Sequence, residues 1–552
     1  MILALLTMLY KIFRMKFTLL LSLSTCFTMA TIAQNYSWSN LPKADLPTFK
    51  KDTFNILSYG AIEGGKKLNS KSINDAINAC NAKGGGVVLI PKGTWLTGPI
   101  VLKSNVNLHL NPSASLQFTE DKNEYKLILG DYEGHPSPRN ESPIFGKDLT
   151  NVAITGEGTI DGHGDVWRAI KKGKMSTAEW EGLTASSGVL SENKSTWYPS
   201  ESYARGAAEK DAIVLQPGKT LKDYEGMKDF FRPNLIVLNN CKKVLLQNTT
   251  FKNSPAWCLH ILLCTDLTVQ GVHVDNPWNA QNGDALDIES CKNVLVENST
   301  FNAGDDGICV KSGRDADGRK RGIATENMVV RNCIVYRAHG GFVIGSEMSG
   351  GARNIFVYNC KFIGTDIGLR FKTTRGRGGV VENIFIKDLS MKNIAHEAIL
   401  FDMYYATKAK KKETMPVTEG TPQFKDFYVN NVTCDGAERA LLIRGLPEMS
   451  IKGIHLENIT LNTRKGLEII EADGISLKNM TVNCEETNPL VHIDNGSNIS
   501  IDNLKYGSNT SLLFGIEGDK SAAIKVSGTD VTTAKKADFT NGATEQALII
   551  AK

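Results

Sequence analysis

The chain has 552 residues, with 63 Lys and Arg against 59 Asp and Glu, 41% hydrophobic and 22% charged residues. That is an ordinary globular composition, long enough to bury a substantial core. A formal net charge of +4 excludes a whole-surface affinity for nucleic acid or membranes, and 50 Gly with 17 Pro are too few for a collagenous or disordered chain.

From Met15 the sequence reads MKFTLLLSLSTCFTMATIA, with Lys16 ahead of an apolar run from Phe17 to Met29 and small residues Thr31 and Ala33 before Gln34. This is the layout of a secretory signal peptide over residues 1–33, with translation expected to start at Met15. A secreted or periplasmic protein follows, with no membrane attachment in its mature form. The alternatives are an uncleaved N-terminal anchor or a lipid on Cys26, where the bulky Thr25 stands in place of the usual small residue. No later run is long enough to span a membrane as a helix. Residues 34–50 read as an extension and 51–552 as one domain. The eleven cysteines include no CxxC pair, so zinc-ribbon and thioredoxin-type motifs have no support. Several fall in apolar strand patterns, where a free Cys is a small core residue.

Asn69-Ser70 is placed to cap a helix whose apolar residues Ile73, Ala76, Ile77 and Cys80 follow the 3.6-residue period, with Gly84-Gly85-Gly86 as its stop. In a strand-rich chain such a helix suits a lid at one end. Less regular strand-bearing units follow at Asn105-Val106 and Asn151-Val152. Beyond residue 230 one phrase recurs: apolar, any, apolar, any, Asn, apolar. It starts at Val244, Val294, Met328, Ile355, Ile384, Phe427, Ile454, Ile475 and Ile499, with a looser copy at Leu267. Asn occupies the fifth place as Asn248, Asn298, Asn332, Asn359, Asn431, Asn458, Asn479 and Asn503.

Each copy holds a period-two strand too short to bury its own apolar face, so the copies must stack. Asn tolerates left-handed backbone, and its amide can pair with the next copy. The reading is an all-β, single-domain, right-handed parallel β-helix with an N-terminal capping helix. Residues 170–230 and 405–423 break the rhythm and read as long surface loops. Asn248 and Asn298 also begin Asn-Xaa-Ser/Thr triplets, but a place in the stacked bend favours a structural role over glycosylation.

A second strand per copy aligns as LDIE, ICVK, FVIG, LRFK and ILFD, from Leu286, Ile308, Phe342, Leu369 and Ile399. Apolar residues take places one and three, so Asp287, Glu289, Lys311, Arg370, Lys372 and Asp402 share the outer face as a mixed-sign strip. Just before these strands lie turns with Asp284, Asp305 and Asp306, His339, and Asp366. Asp305, His339 and Asp366 each fall eleven residues after the start of their phrase, which predicts that they stack. Breaking a glycosidic bond needs a proton donor for the leaving oxygen and a base for water, and crowded carboxylates supply both. Arg370 and Lys372 add what a neutral sugar would not need, a grip on a carboxylate.

Asn282-Gly283-Asp284, Gly304-Asp305-Asp306, Ala338-His339-Gly340 and Arg370-Phe371-Lys372 resemble, in order and spacing, the four motifs of glycoside hydrolase family 28, the polygalacturonases. The opening FNILSYGA and GGGVVLIPKGTWLTGPI resemble that family's cap and first coils. The resemblance implies inverting hydrolysis of α-1,4-galacturonosyl linkages in an acidic plant polysaccharide, galacturonan or pectin. It implies Asp305 as general acid, Asp284 and Asp306 around the attacking water, and His339 in support of the acid. Substrate-binding candidates are Asn282, Lys311, Arg370, Lys372 and Tyr405, the last with Tyr404 beside it leaving the register open. No cofactor, metal or nucleic acid is implied, and a monomer is expected. Two departures stand out: Gly283 replaces Thr, and Phe371 replaces Ile at a place facing the core. The insertion at 170–230 suggests a groove closed at one end and hence release of units from chain ends. Rhamnogalacturonan or xylogalacturonan hydrolysis is the near alternative; a calcium-dependent pectate lyase and a noncatalytic polysaccharide-binding β-helix are the distant ones.

Overall fold

The computed structural model describes residues 36–407 and 413–551, so the expected signal peptide and Cys26 lie outside the described residues. The described residues 36–41, in which Ser37 and Asn40 pair, stand apart from the unit that starts at Pro42, and everything below concerns that unit.

Each short strand finds its partner one coil further along the chain. One coil consists of Lys292–Glu297, Thr300–Asn302 and Asp306–Lys311, and the next repeats it as Thr325–Arg331, Ile334–Tyr336 and Gly340–Ile344. Pairing between them is parallel and places equivalent residues on one another. The phrase starts Val244, Leu267, Val294, Met328, Ile355, Ile384, Phe427 and Ile454 form one column. Leu286, Ile308, Phe342, Leu369 and Ile399 form another, all fully buried. The fold is the right-handed parallel β-helix that the spacing predicts, and one continuous apolar core runs from Ile56 to Ala547.

The Asn bends show why the coils stay in step. All eight Asn of the phrase have φ between 51° and 59°, in the left-handed region. Their side chains form a ladder: Asn332 donates to Asn298 (3.0 Å), Asn359 to Asn332 (2.7 Å), Asn479 to Asn458 (3.1 Å) and Asn503 to Asn479 (2.8 Å). Where the phrase lacks Asn, Asp388 adopts φ 55° and accepts from Asn431 at 2.6 Å, and Gly271 adopts φ 62°. Asn298, of the second glycosylation-type triplet, is thus engaged in the ladder.

The helix runs Ser70–Ala82 and lies over the first coils with Ile73, Ala76, Ile77 and Cys80 fully buried. Asn69 does not cap it by a side-chain bond. Its amide instead ties down the preceding loop, accepting from Ile62 N (2.7 Å) and donating to Leu96 O (3.2 Å). All ten described cysteines are buried and free. Cys241, Cys264 and Cys291 stack in one column, each Sγ of the latter two accepting from the preceding Cys N at 3.3 Å. Among the described residues no helix is long and apolar enough to cross a membrane.

Residues 170–230 are not a loop. They build a small module from a three-stranded antiparallel sheet (Ile170–Lys171, Thr196–Tyr198, Val189–Leu190) and helices Thr177–Ser186 and Glu201–Ala208, the first closed by a Ser176/Glu179 capping box. Buried Trp180, Trp197 and Tyr203 explain its order. A hairpin, Leu127–Tyr132 with His135–Asn140, was not expected from the pattern, because its strands lack apolar alternation. Of the block 405–423, residues 408–412 lie outside the described residues.

Asn332→Val forces a β-branched side chain into left-handed backbone and removes two ladder bonds, a loss of about 2–3 kcal/mol. Asn332→Gly keeps the conformation and loses only the ladder. Guanidinium unfolding is expected to show a lower midpoint for the Val variant than for the Gly variant.

Candidate active site

Register alone assembles the site. Asp306 pairs with Gly340, so Asp305 sits beside His339, whose backbone N donates to Asp305 O at 2.7 Å; Asp366 N donates in turn to Ala338 O at 2.8 Å. The predicted stack of Asp305, His339 and Asp366 is present. His339 Nδ1 lies 3.0 Å from Asp305 Oδ1, and its Nε2 3.7 Å from Asp366. One coil back, Asp284 is fixed between rungs, its carbonyl accepting from Cys258 N (2.8 Å) while Ala285 N donates to Asp306 O (3.0 Å). Asp284, Asp305 and Asp306 thereby bring carboxylate oxygens within 4.8 Å of one another.

Two coils beyond Asp306, strand Leu369–Lys372 delivers two cations to one carboxylate. Arg370 Nη1 donates to Asp306 Oδ1 (3.0 Å) and Lys372 Nζ to Asp306 Oδ2 (2.7 Å). Phe371 between them points inward and packs on Phe401 and Phe427, with ring centres 4.7 and 4.8 Å away, so the exchange from Ile is a core change. The Tyr405 ring centre lies 4.9 Å from Lys372 Nζ, whereas Tyr404 turns away to Arg375 and Arg444, so Tyr405 is the one of the two that lines the cavity. Asn282, at φ 53°, accepts from Arg232 at 2.8 Å. A Cβ on Gly283 would stand 2.7 Å from the Ala280 Cβ, so this turn has no room for the missing Thr.

The charged strip is roofed, not open. Asp287 and Glu289 are 0% exposed, Lys311 3% and Lys372 5%. Glu289 belongs to the roof and not to the cavity: it meets His260 (3.0 Å) and Arg321 (2.6 Å), and Arg321 meets Asp131 of the hairpin (2.7 Å). The hairpin clasps the segment around helix Asp315–Arg321 through Glu133 with Arg314 (2.6 Å) and His135 with Asp317 (2.7 Å). Gly134 is needed at this contact, since a Cβ there would fall 2.3 Å from Arg314 N. Asp402 accepts from Arg444 through both its oxygens and does not line the cavity.

The resulting cavity, of about 80 Å³, is lined by Asn282, Asp284, Asp305, Asp306, Lys311, Lys372 and Tyr405 together with Glu133, Trp257, Ser346 and Glu347. The last four escaped the sequence reading. Glu347, which pairs with Lys311 at 3.3 Å, could have been found by extending FVIG; Trp257, 4.8 Å from the Lys311 ammonium, carries no pattern signal.

Ionisation is divided among the carboxylates. Burial opposes the charge on Asp306, but Lys372, Arg370 and Lys311 outweigh it and hold the group well below the usual carboxylate range. Asp284 is pushed well above that range, by burial first and then by Asp287 and Asp305. Burial also carries Asp287 up to about 8, against the pull of Lys311. The bond to Asp305 raises His339 above its ordinary value in spite of burial.

Residues 215–465 match the family model described as Glycosyl hydrolases family 28, a stretch holding every candidate residue from Asn282 to Tyr405. With this match the chain is a glycoside hydrolase, and its residues 53–223 also match a model described as Rhamnogalacturonase A/epimerase, pectate lyase-like. It is 27% identical over 419 residues to the "Probable polygalacturonase" of Vitis vinifera, covering 74% of each chain. It is 27% identical to the "Exo-poly-alpha-D-galacturonosidase" of Dickeya chrysanthemi, over 76% of this chain and 69% of that one. Among solved structures, a hyperthermoactive exopolygalacturonase from Thermotoga maritima superposes with a TM-score of 0.65 at 29% identity, covering 85% of this chain and 94% of the other.

Asp306→Asn leaves Arg370 and Lys372 buried against a neutral amide, and is expected to lower unfolding stability by about 3 kcal/mol or more. Asp305→Asn, at a half-buried position, is expected to leave the unfolding midpoint nearly unchanged. The raised His339 contributes stability that is fully present below its unfolded value of about 6.5 and is lost as pH rises through its higher folded value. The gap in thermal midpoint between the unmodified protein and His339→Gln should therefore narrow from pH 6 to pH 9.

Proposed function

We propose that this enzyme hydrolyses α-1,4-galacturonosyl linkages of galacturonan by a single displacement that inverts the anomeric carbon. The observation that carries the proposal is the grip of Arg370 and Lys372 on both oxygens of Asp306. A carboxylate so engaged stays ionised and can take a proton from water, but its lone pairs are blunted for attack on carbon. Asp284, held toward its protonated form, is no nucleophile either; it positions the water by a hydrogen bond. Asp305 is the most accessible of the trio, with its side chain 23% exposed. His339 occupies its Oδ1, which leaves Oδ2 to give a proton to the bridge oxygen.

The nearest carboxylate oxygens lie closer than the ~6.5–9.5 Å common between the two carboxyls of inverting enzymes. That spacing describes one acid facing one base. Here two carboxyls grip the water side by side, so it needs no gap of that size. Three carboxylates this close also suit a cation, but the cations already on Asp306 fill that electrostatic role, and the residues favour water over a metal.

A sugar carboxylate entering the cavity meets Lys311, Lys372 and the Tyr405 hydroxyl, with Arg370 behind them on Asp306. Release of single units from chain ends is supported by the hairpin clasp, which closes the strip at Glu289, and by the exo-acting names of two relatives. The closing element is the hairpin at 127–140, in addition to the 170–230 module.

With polygalacturonate, the expected product is monomeric galacturonate from the earliest times, appearing first as the β anomer by proton NMR, with activity unaffected by chelators. An α anomer formed first would show double displacement, and an early ladder of oligomers would show internal cleavage. Asp305→Asn is expected to lower turnover by about 10²–10⁴-fold.

A further inference from the structure

Asp305 lines two cavities. One is the roofed cavity of the trio; the other, of about 70 Å³, is formed by Gly304, Asp305 and His339 with Ala280 on one side and Lys171 and Lys174 of the 170–230 module on the other. A proton donor to a bridge oxygen has a sugar on either side of that oxygen, so a second cavity sharing only Asp305 with the first is where the second sugar must lie. Its charge differs from that of the first. Arg370 and Lys372 are both spent on Asp306, and Lys311 on Asp287 and Glu347. Lys171 and Lys174, in contrast, form no ion pair with a carboxylate among the described residues, and Lys174 rests 5.0 Å from the centre of the exposed Trp278 ring. Lys171 is held in place by its strand, Ile170–Lys171, which pairs with Thr196 and Trp197. A substrate carboxylate arriving here gains two cations without displacing an internal partner.

We infer that Lys171 and Lys174 form a second carboxylate-binding subsite, which selects an acidic sugar on the far side of the cleaved bond from the Lys372 cavity. The inference rests on the proposed galacturonan hydrolysis and narrows it: both sugars flanking the bond are acidic, and a polymer in which every second sugar is neutral is a poor substrate.

The test compares digalacturonate with the two disaccharides in which one carboxyl or the other is reduced to a primary alcohol. For the unmodified enzyme each loss is expected to lower kcat/KM by about tenfold or more. In the Lys171→Gln/Lys174→Gln variant, one of those two penalties is expected to fall below about twofold, while the other persists. Lys172→Gln, one residue from the strand but outside the cavity, should keep both. If the double variant retains both penalties, or loses rate equally on all three substrates, the subsite is overturned. If the unmodified enzyme cleaves none of the three, the galacturonan reading falls and takes the inference with it, a result distinct from retained penalties.

Discussion

Everything in this molecule depends on residue-on-residue stacking of coils. A strand that pairs with its own equivalent one coil later carries no freedom of register, because a slip by one residue would turn its apolar face outward. The Asn bends enforce this twice, once through left-handed backbone that a β-branched residue would resist and once through amide-to-amide bonds along the axis. The consequence is geometric: residues 284, 305, 306, 339, 370 and 372, far apart along the chain, occupy neighbouring rungs on one face. The active site needs no dedicated scaffold, only turns that put an Asp or His at the same step of successive coils.

Within that frame, electrostatics distributes the roles. Three carboxyls this close cannot all be charged without compensation, and the fold compensates only one of them fully. Asp306 receives Arg370 and Lys372 from two coils away and stays a carboxylate; Asp284, buried without such partners, is pushed toward its acid form. Asp305, the most accessible of the three, is braced by His339. Under the proposed hydrolysis, one site thus supplies a base that keeps its charge, a hydrogen-bonding acid to hold the water, and a proton donor in reach of solvent. Phe371 joins this chemistry to the core, since its inward packing aims its two charged neighbours outward.

Much of this was legible in the sequence because it is periodic. The phrase with Asn at its fifth place announced the bends, the alternation in LDIE, ICVK and LRFK announced which residues share a face, and equal spacing placed Asp305, His339 and Asp366 in one column. What stayed hidden was aperiodic. The hairpin at 127–140 follows no apolar alternation and is held by ion pairs distant in sequence, such as Glu133 with Arg314, 181 residues apart. The module at 170–230 looked like a loop because its aromatic core has no repeat. Trp257 enters the cavity through contacts that single-sequence patterns do not encode, and Arg370 and Lys372 were legible as cations but not as partners of Asp306.

The most direct measurement is an experimental structure of the Asp305→Asn variant with a galacturonate oligomer bound. The predicted result is a bridge oxygen within hydrogen-bond reach of the amide that replaces the Asp305 carboxyl, and a water held by Asp284 and Asp306 facing the anomeric carbon of the sugar in the Lys372 cavity. A sugar whose anomeric carbon is in contact with an Asp306 oxygen and no intervening water, or an oligomer bound away from these rungs, would contradict it.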